Sequence, residues 1–476
     1  MEYGILSLVP PILALAVALL TKKISFALIL GIFSGMLIMN GWNPIVAATS
    51  SVQTLFEVCS DVGNLKVLVF TSLMGAFVLL IRVSGGVDGF VNYLTIKNKK
   101  IKSKTGAMLL AYVIGLLIFI DGLMGIMFKG TVTLPIFDRY KISREKLAWI
   151  SDSTSAPVNA LVPLNSWGAM LSGLIGAQVS AGLISGDPMG LLVQSLPFQF
   201  YNVVTLLFVL FIILTGKDFG PMKKAEIRVQ TTGALYDEGV TPLMKDEEEE
   251  DILVEAGEGK MKNMAIPLFI LIGFTFISLL YTGGGSILKG DGSLSIVYAT
   301  IITLTYMSIS YSKQGIMTGK EFVDYLYKGV GGMLSLVVLL VLAFAIGKTV
   351  STIGTGPYLA SLVEGRVSGS FGPALIFIFG AVMSFSTGTS WGTFSLMMPI
   401  AIPMAVAMDA NIVLSIAAVV SGGIFGDHCS PMSDTTILSS SSSGTDLFSH
   451  FKTQTPYALV CAAISFVLFI VFGLFM

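Results

Sequence analysis

Long apolar stretches alternate with short polar ones along most of the chain. A membrane-spanning helix needs roughly 20 mostly apolar residues, and several interrupted or shortened stretches come close to that length. We therefore expect about 10–13 membrane segments, whereas the region 150–185 is too polar for a simple span. The apolar windows cover residues 5–20, 25–40, 65–82, 106–128, 193–215, 264–282, 293–311, 330–348, 371–385, 391–408, 412–425 and 457–475.

Composition agrees with a polytopic membrane protein that is all-α. The chain has 476 residues, of which 54% are hydrophobic and 12% charged. Such a composition lies outside the range of soluble globular proteins. A net charge of -1 argues against a nucleic-acid partner, so membrane lipids are the expected surroundings. The three cysteines and two histidines show no metal-ligand spacing, and we expect no bound cofactor.

The distribution of lysine predicts the orientation in the membrane. Lysines cluster in 94–105, at 22–23 and in 313–328, whereas 41–63 carries neither lysine nor arginine. Basic loops remain on the cytoplasmic side. We therefore expect a multi-pass protein of the cell inner (plasma) membrane with its N-terminus outside.

A polar stretch at 217–263 divides the chain into a first membrane repeat, 1–216, and a second, 264–476. It contains an acidic run, 246–251. A block of like charges is typical of a solvated segment. We interpret this stretch as a mobile cytoplasmic linker.

The two halves share a pattern. Arg82 precedes Gly122 of "FIDG" by 40 residues, as Lys348 precedes Gly388 of "FSTG", and a long polar segment follows each. Since the first half enters from outside and the second follows a cytoplasmic linker, we expect two inverted structural repeats. Such repeats with broken, polar segments indicate a secondary transporter. The tripeptide "SWG" also occurs twice, at 166–168 and 390–392, but at places that this alignment does not match.

Polar segments between apolar helices predict a binding site. Irregular backbone at membrane depth is tolerated only inside the protein or along a wet cavity. Pro157 and Pro431 would break their helices, and the freed carbonyls, hydroxyls and carboxylates suit a hard cation. We expect a substrate and ion site built from the segments 119–125, 151–159, 385–393 and 426–436.

The acidic residues of these segments are the leading candidates. Asp121 lies deep in an apolar stretch, where an ionisable residue is a functional candidate and an ion pair with Lys129 or Arg82 is the alternative role. Asp152 and Asp427 head the two longest polar segments, where capping of a helix N-terminus is the alternative role, as it is for Asp434. His428 is a weaker candidate, and His450 is expected outside the bilayer core. The neutral oxygen donors of the predicted site are Asn159, Ser386, Thr387, Thr389, Ser430 and Thr435.

A hydrolase is the alternative from another functional class. "GTSWG" at 388–392 matches G-x-S-x-G, with Ser390 as the nucleophile. A nucleophile elbow requires a turn from strand to helix, whereas apolar helices flank this motif. The pattern therefore gives little support to an intramembrane serine hydrolase.

The polar motifs resemble those of the NhaC family of sodium/proton antiporters. The resemblance rests on "GDHCSPMSDTTILSSS" at 426–441, "FSTGTSWGTFSLMMPIAIPMA" upstream of it and "SDSTSAPVNALVPLNSW" at 151–167. It covers most of both halves and excludes the linker.

This resemblance implies inverted repeats with re-entrant hairpins and unwound helices. It also implies cation-coupled transport by alternating access, with sodium ion and proton as coupling ions and sodium at Asp152, Asp427 or Asp434. By the motif match, Asn159, Ser430 and Thr435 carry over as further site residues. The family includes carriers of malate and lactate and of amino acids, so a small organic solute is the alternative substrate. A channel-like or sensor protein of the same fold stays open, as does the choice between a monomer and a homodimer.

Overall fold

The computed structural model of the protein describes residues 3–21, 23–86, 89, 103–119, 122–235, 259–286, 290–355, 358, 368–431 and 433–476. Asp121 and most of the acidic part of the linker lie outside these residues. Within the described ranges every regular element is a helix, which confirms the all-α prediction.

Twelve α-helices lie within the described residues up to 235. Their order and bounds are α1 (Val9–Thr21), α2 (Ile24–Met39), α3 (Pro44–Ser60), α4 (Val62–Val83), α5 (Lys104–Leu117), α6 (Gly122–Arg139), α7 (Arg144–Ser153), α8 (Ala156–Leu161), α9 (Ser166–Ser180), α10 (Pro188–Ser195), α11 (Phe200–Thr215) and α12 (Gly220–Thr232).

The second half adds nine α-helices among the described residues. They are α13 (Lys262–Thr282), α14 (Gly292–Lys313), α15 (Gly319–Gly332), α16 (Leu334–Thr352), α17 (Gly372–Thr387), α18 (Ser390–Ala407), α19 (Ile412–His428), α20 (Asp434–Ser442) and α21 (Leu447–Phe475).

Eight helices in the described part of the chain are long and apolar enough to cross a membrane. The segments Arg144–Leu161 and Ser166–Ser180 together form a ninth candidate that is bent by 47°. This bend explains why 150–185 does not have the pattern of one span. Shorter apolar helices such as α2, α5 and α19 account for other predicted windows, and the number of 10–13 segments stays a prediction.

One predicted window, 106–128, is interrupted in the structure. Helix α5 ends at Leu117 and α6 begins at Gly122, so the polar "FIDG" tip separates two helices. The equivalent "FSTG" stretch ends α17 at Gly388, whose φ of +68° is a left-handed conformation that glycine adopts readily. In each half a helix therefore ends at or just before the motif that the sequence aligns. The inverted orientation of the two repeats stays a prediction.

Glycines allow the closest helix contact in the second half, between α17 and α19. A side chain at Gly422 would clash with the carbonyl oxygen of Phe377, and one at Gly426 with that of Ala381. Small residues four apart let two membrane helices approach to backbone contact, because lipid provides no hydrophobic drive for their association. This contact holds the end of α19, which carries Asp427 and His428, against α17.

Part of the predicted linker is a packed helix and not a solvated loop. Helix α12 and the residues just before it form three ion pairs with the N-terminal ends of α5 and α7. Glu226 contacts Lys104 at 2.7 Å and Arg228 contacts Glu145 at 2.7 Å. Just ahead of α12, Asp218 pairs with the buried Lys146. The polar composition of 217–235 therefore reflects paired charges as well as contact with water.

Candidate functional site

Two broken helices carry the acidic residues of the long polar segments. Asp152 lies in the last turn of α7, and Asp427 lies in the last turn of α19. The N-capping role considered for both residues is therefore wrong, because each lies at the opposite end of its helix. A carboxylate at a helix C-terminus faces the negative end of the helix dipole. Together with the carbonyls that the break leaves free, this position favours a cation or a proton.

Asp434 is not the cap of its helix either. The Ser433 hydroxyl caps α20 by accepting from the Thr435 backbone N–H at 3.2 Å. Asp434 occupies the first turn of α20, where its carboxylate is favoured by the positive end of the helix dipole. The residue that caps α20 is therefore Ser433 and not Asp434.

The two "SWG" motifs meet in space. Ser166 begins α9 and Ser390 begins α18, and Asn165 and Thr389 cap these helices by accepting from backbone N–H groups in the first turn. The rings of Trp167 and Trp391 contact edge to face, with centroids 5.6 Å apart. Two helix N-termini, one from each half, therefore converge on one place.

A cavity of about 300 Å³ lies at this convergence. All four predicted segments contribute to it, and the segment 119–125 does so through Gly122. Five predicted site residues line it directly. The lining comprises Val78, Gly122, Ser155, Ala156, Asn159, Ser166, Trp167, Met333, Thr389, Ser390, Trp391, Asp427, Asp434 and Thr435.

Three buried side-chain atoms of this central cavity have no hydrogen-bond partner among the described residues. Neither the Nδ2 nor the Oδ1 of Asn159 has one, and the Oδ1 of Asp427 has none. Only 1% of Asn159 and 2% of Asp427 are exposed. The hydroxyl groups of Ser390 and Ser433 lie within reach of the Asp427 carboxylate. Buried polar groups are nearly always paired. Unpaired polar atoms that face a cavity are therefore candidate ligand contacts.

Other predicted residues do not line the central cavity. The hydroxyls of Ser386 and Thr387 donate to the backbone of their own helix, at Val382 and Met383. Ser430 is buried in the break after α19 but is not part of the cavity wall.

Asp152 belongs to a separate buried cluster. Its Oδ2 accepts from the Nε2 of Gln454 at 2.7 Å and lies 3.4 Å from the Nε2 of His450. His450 is fully buried inside the protein, and its expected position outside the bilayer core stays a prediction. Helix α21 places both partners one turn apart.

His428 connects this cluster to the central cavity, because it follows Asp427 in the chain. Its Nδ1 is 2.7 Å from the Tyr201 hydroxyl and its Nε2 is 3.1 Å from the Ser153 hydroxyl. Neither ring nitrogen contacts Ser390, which removes the base that a serine hydrolase would need. The peptide 427–428 thus directs one titratable side chain into the cavity and the next into the cluster.

Lys129 completes the cluster, although the sequence suggested it only as an ion-pair partner of Asp121 and not as a site residue. It is fully buried, and its Nζ donates to the Ser151 carbonyl at 2.6 Å and to the Thr154 hydroxyl at 3.0 Å. An intramembrane lysine seven residues after Gly122 was visible in the sequence. Its contact with the end of α7 depends on a fold that places α6 beside that helix.

The central cavity suits a hard cation and not a transition metal. No group of three or more His, Cys, Asp or Glu side chains in the described ranges could hold a metal ion. Asp427 and Asp434 supply carboxylate oxygens, and Asn159, Thr389 and Thr435 supply neutral ones. Carboxylate, carbonyl and hydroxyl oxygens are the ligands of hard cations.

An all-helical fold with eight candidate membrane spans among the described residues, and with broken helices around a polar cavity, is that of a polytopic membrane protein. The sequence model of the Na+/H+ antiporter family matches residues 161–474, and the chain belongs to that family. It is therefore a cation-coupled transporter and not an enzyme, as the motifs predicted.

Relatives extend the match over nearly the whole chain. An uncharacterized protein of Haemophilus influenzae is 32% identical over 98% of this chain and 90% of its own length. The malate-2H(+)/Na(+)-lactate antiporter of Bacillus subtilis is 35% identical over 20% of each chain. Among solved structures, the YdaH transporter of Alcanivorax borkumensis has the same fold, with a TM-score of 0.58 at 15% identity over 90% of this chain and 88% of that one.

Proposed function

We propose that the protein is a sodium/proton antiporter of the plasma membrane that works by alternating access, with the central cavity as its cation site. The observation that carries this proposal is the pair of buried, unpartnered groups on Asn159 and Asp427. They come from different halves of the chain and face one cavity, together with the second carboxylate, Asp434.

The exchange follows from the position of Asp427. A buried carboxylate at a helix C-terminus requires a neutralising partner, and either a proton or a sodium ion can supply it. Sodium would bind Asp427 and Asp434, with Asn159 and Thr435 completing the oxygen shell. Binding of one partner displaces the other, so the site carries one at a time. Access to the two sides would alternate as the two halves move around the cavity.

Asp152 acts from the neighbouring cluster in this proposal. Its charge lies beside His428, and His428 is bonded in the chain to Asp427. A change in charge at Asp427 therefore alters the electrostatic environment of Asp152 and its partners at short range. We expect Asp152 to set the sodium affinity of the cavity or to bind sodium in another state of the cycle.

An organic solute is the second candidate substrate, and one observation favours it. The cavity of about 300 Å³ has two tryptophan walls and two helix N-termini. This volume exceeds the need of a bare ion, and helix N-termini favour an anionic group such as a carboxylate. A carboxylate carried together with sodium would use both features.

The remaining features concern the setting of the site. We propose that the linker is cytoplasmic, that lipid surrounds the exposed apolar helix faces, and that the chain works as a monomer or a homodimer. Antibody or protease access to the linker in sealed cells of known orientation tests the first of these.

Flux measurement in proteoliposomes tests the proposed function. The purified protein is reconstituted, and an outward sodium gradient is imposed while a trapped pH dye reports protons. We expect sodium leaving the vesicles to drive protons inward against a proton gradient, which a channel cannot do. Repeating the assay with malate, lactate, arginine or ornithine tests whether the protein transports an organic solute. A protein that moves none of these with sodium or proton dependence would contradict the proposal.

A further inference from the structure

A second cavity, of about 570 Å³, lies apart from the central one. We call it the outer cavity. It is formed by α3, the start of α4 and the ends of α9 and α16, at the face that the lysine distribution places outside. The two cavities share no lining residue. Its polar wall consists of Gln53, Glu57, Ser60, Asp61, Asn64, Ser180, Lys348, Ser351 and Thr352.

Three helices run from the outer cavity to the central cavity. Helix α9 has Trp167 at the central cavity and Ser180 at the outer one, about 20 Å away at the helical rise of 1.5 Å per residue. Met333, just before α16, lines the central cavity, while Lys348 lines the outer one. Helix α4 links Asn64 to Val78 in the same way. The outer cavity therefore lies in line with the central one.

A packed apolar layer separates the two cavities. Phe344 forms part of the wall of the outer cavity, is only 1% exposed and approaches Gly173 of α9. Val67 of α4 fills the other side of that glycine. A side chain at Gly173 would collide with Val67, so the layer depends on this glycine. Along their helices, Val67, Gly173 and Phe344 thus lie between the residues that line the two cavities.

An ion pair between different helices lies in the outer cavity. Lys348 of α16 contacts Glu57 of α3 at 2.6 Å, and the two side chains are 44% and 43% exposed. Hydrogen bonds from Lys348 and Gln53 lower the pKa of Glu57, so this carboxyl is ionised at neutral pH. An exposed pair of this kind contributes little to stability. Its two charges are available to exchange partners with a solute.

Two further groups make this cavity polar beyond the ion pair. The Oδ1 of the buried Asn64 has no hydrogen-bond partner among the described residues. Asp61 accepts from the Ser180 hydroxyl at 3.1 Å, which ties α4 to the end of α9. Phe56 and Phe344 supply apolar wall beside these groups. Charges of both signs next to an apolar surface match a small amphoteric molecule.

We propose that the outer cavity is a second, peripheral solute site for a small zwitterion, with the ammonium group at Glu57 and the carboxylate at Lys348. The incoming molecule replaces one ion pair with two, so no charge is left without a partner. Only its place on the route to the central cavity rests on the proposed function. Binding itself can be measured without transport.

Protection of a single cysteine tests the site. Cys59 is exposed, and Cys429 and Cys461 are buried, so Cys59→Ser removes the exposed thiol of the described residues. Ser180→Cys in that background places a reporter in the cavity wall. Its rate of modification by a charged methanethiosulfonate is measured with L-leucine, 3-methylbutylamine or 4-methylpentanoate present. These three probes share one side chain and differ only in their charged groups.

We expect L-leucine to slow the modification at least about threefold, since it alone engages both charges, and the two single-charge analogues to protect less. Glu57→Gln and Lys348→Met should each abolish the difference in protection between L-leucine and the two single-charge analogues. The double variant Glu57→Lys with Lys348→Glu should restore it, because the pair is reversed and not removed. Size-exclusion profiles and modification without a probe establish that each variant is folded. Equal protection by all three probes, or protection that persists in the single variants, would overturn the zwitterion site.

The route is tested in the same background by flux. We expect a bulky thiol reagent added outside to inhibit sodium-dependent flux through the Ser180→Cys variant, and to leave the Cys59→Ser parent unaffected. Leucine protection without inhibition of flux would overturn the position on the route. If the parent itself shows no coupled flux, the proposed antiport fails, and the protection assay still decides whether the site exists.

Discussion

Two of the regions in which the protein buries carboxylates differ in how those carboxylates are paired. At the linker helix α12, Glu226 has both oxygens satisfied. Lys104 contacts one oxygen, and the backbone N–H and hydroxyl of Ser143 contact the other at 2.8 and 2.7 Å. In the central cavity, Asp427 has an oxygen with no partner among the described residues.

From this difference we infer that the Glu226 carboxylate stabilises the fold, whereas the Asp427 carboxylate takes part in transport. A satisfied buried carboxylate holds one geometry, because moving it leaves partners unpaired. An orphaned carboxylate is stable only if something else neutralises it for part of the time. Burial of a charge is therefore a weak sign of function, while burial without partners in a cavity is a stronger one. The predictions below test this distinction.

The largest effect is expected from Asp427→Asn. The amide keeps the shape of the side chain but cannot neutralise a cation, so sodium-dependent flux should be abolished. Membrane yield and thermal unfolding midpoint should stay close to those of the unaltered protein. Flux in proteoliposomes and unfolding in detergent are the measurements. Retained sodium dependence would show that the orphaned oxygen has no part in transport.

Asn159→Leu should separate function from stability. Leucine has a similar volume and removes two buried groups that lack partners, which is neutral or stabilising. We expect an unfolding midpoint that is unchanged or higher, together with a loss of sodium affinity of about tenfold or more, or 1.4 kcal/mol. The matched control is Asn165→Leu, because Asn165 uses its amide to bond Phe119, Asn159 and Gly168. Asn165→Leu should lower the unfolding midpoint. A higher midpoint for Asn165→Leu than for Asn159→Leu would contradict the claim that Asn159, unlike Asn165, lacks hydrogen-bond partners for its amide among the described residues.

Asp152→Asn is expected to act on affinity. It keeps the hydrogen bond from Gln454 and removes the charge beside His428. We expect the apparent sodium affinity to change about tenfold, roughly 1.4 kcal/mol, or flux to be lost. Flux measured over a range of sodium concentrations reports it. If the sodium dependence of flux is unchanged, Asp152 has a structural role only.

Glu226→Gln should affect stability and not transport. It leaves Lys104 with a weaker partner in a place where the carboxylate is 7% exposed. Loss of a charge-assisted bond at such a site costs about 1–3 kcal/mol. We expect a lower unfolding midpoint and an unchanged turnover per folded molecule. Lost turnover with an intact midpoint would move α12 into the transport mechanism.

The smallest effect is expected from the acidic part of the linker. Since α12 is packed, the replacement covers 236–258 and spares Glu226 and Arg228. A Gly/Ser segment of similar reach should leave flux unchanged, because a run of like charges cannot bury a core. A variant that inserts correctly but does not transport would assign the acidic run a further role.

Local pattern predicted much of the fold. The apolar windows locate the membrane helices, and Pro157, Pro431 and the "FSTG" motif mark real breaks. Glycine and proline act through the backbone of their own segment, which is why the sequence shows them. Asp427, Asp434 and Asn159 were found for the same reason, since a polar run between apolar helices is a local signal.

Contacts between distant helices could not be predicted in this way. His450 and Gln454 meet Asp152 across about 300 positions of sequence, and the contact of Trp167 with Trp391 explains a repeat of "SWG" that alignment leaves unmatched. Glu226 and Arg228 of α12 form ion pairs with Lys104 of α5 and Glu145 of α7, which lie far away in the chain. Composition alone cannot distinguish such pairing from exposure to water.

Sodium binding to the purified protein tests the central claim most directly. Isothermal titration of sodium chloride, with choline chloride as the matched control salt, is carried out on the unaltered protein, Asp427→Asn and Glu226→Gln. Our account predicts that the unaltered protein and Glu226→Gln bind sodium with the same affinity, while Asp427→Asn does not bind it. Sodium binding by Asp427→Asn at full affinity, or equal loss in both variants, would contradict the claim that the unpaired carboxylate marks the cation site.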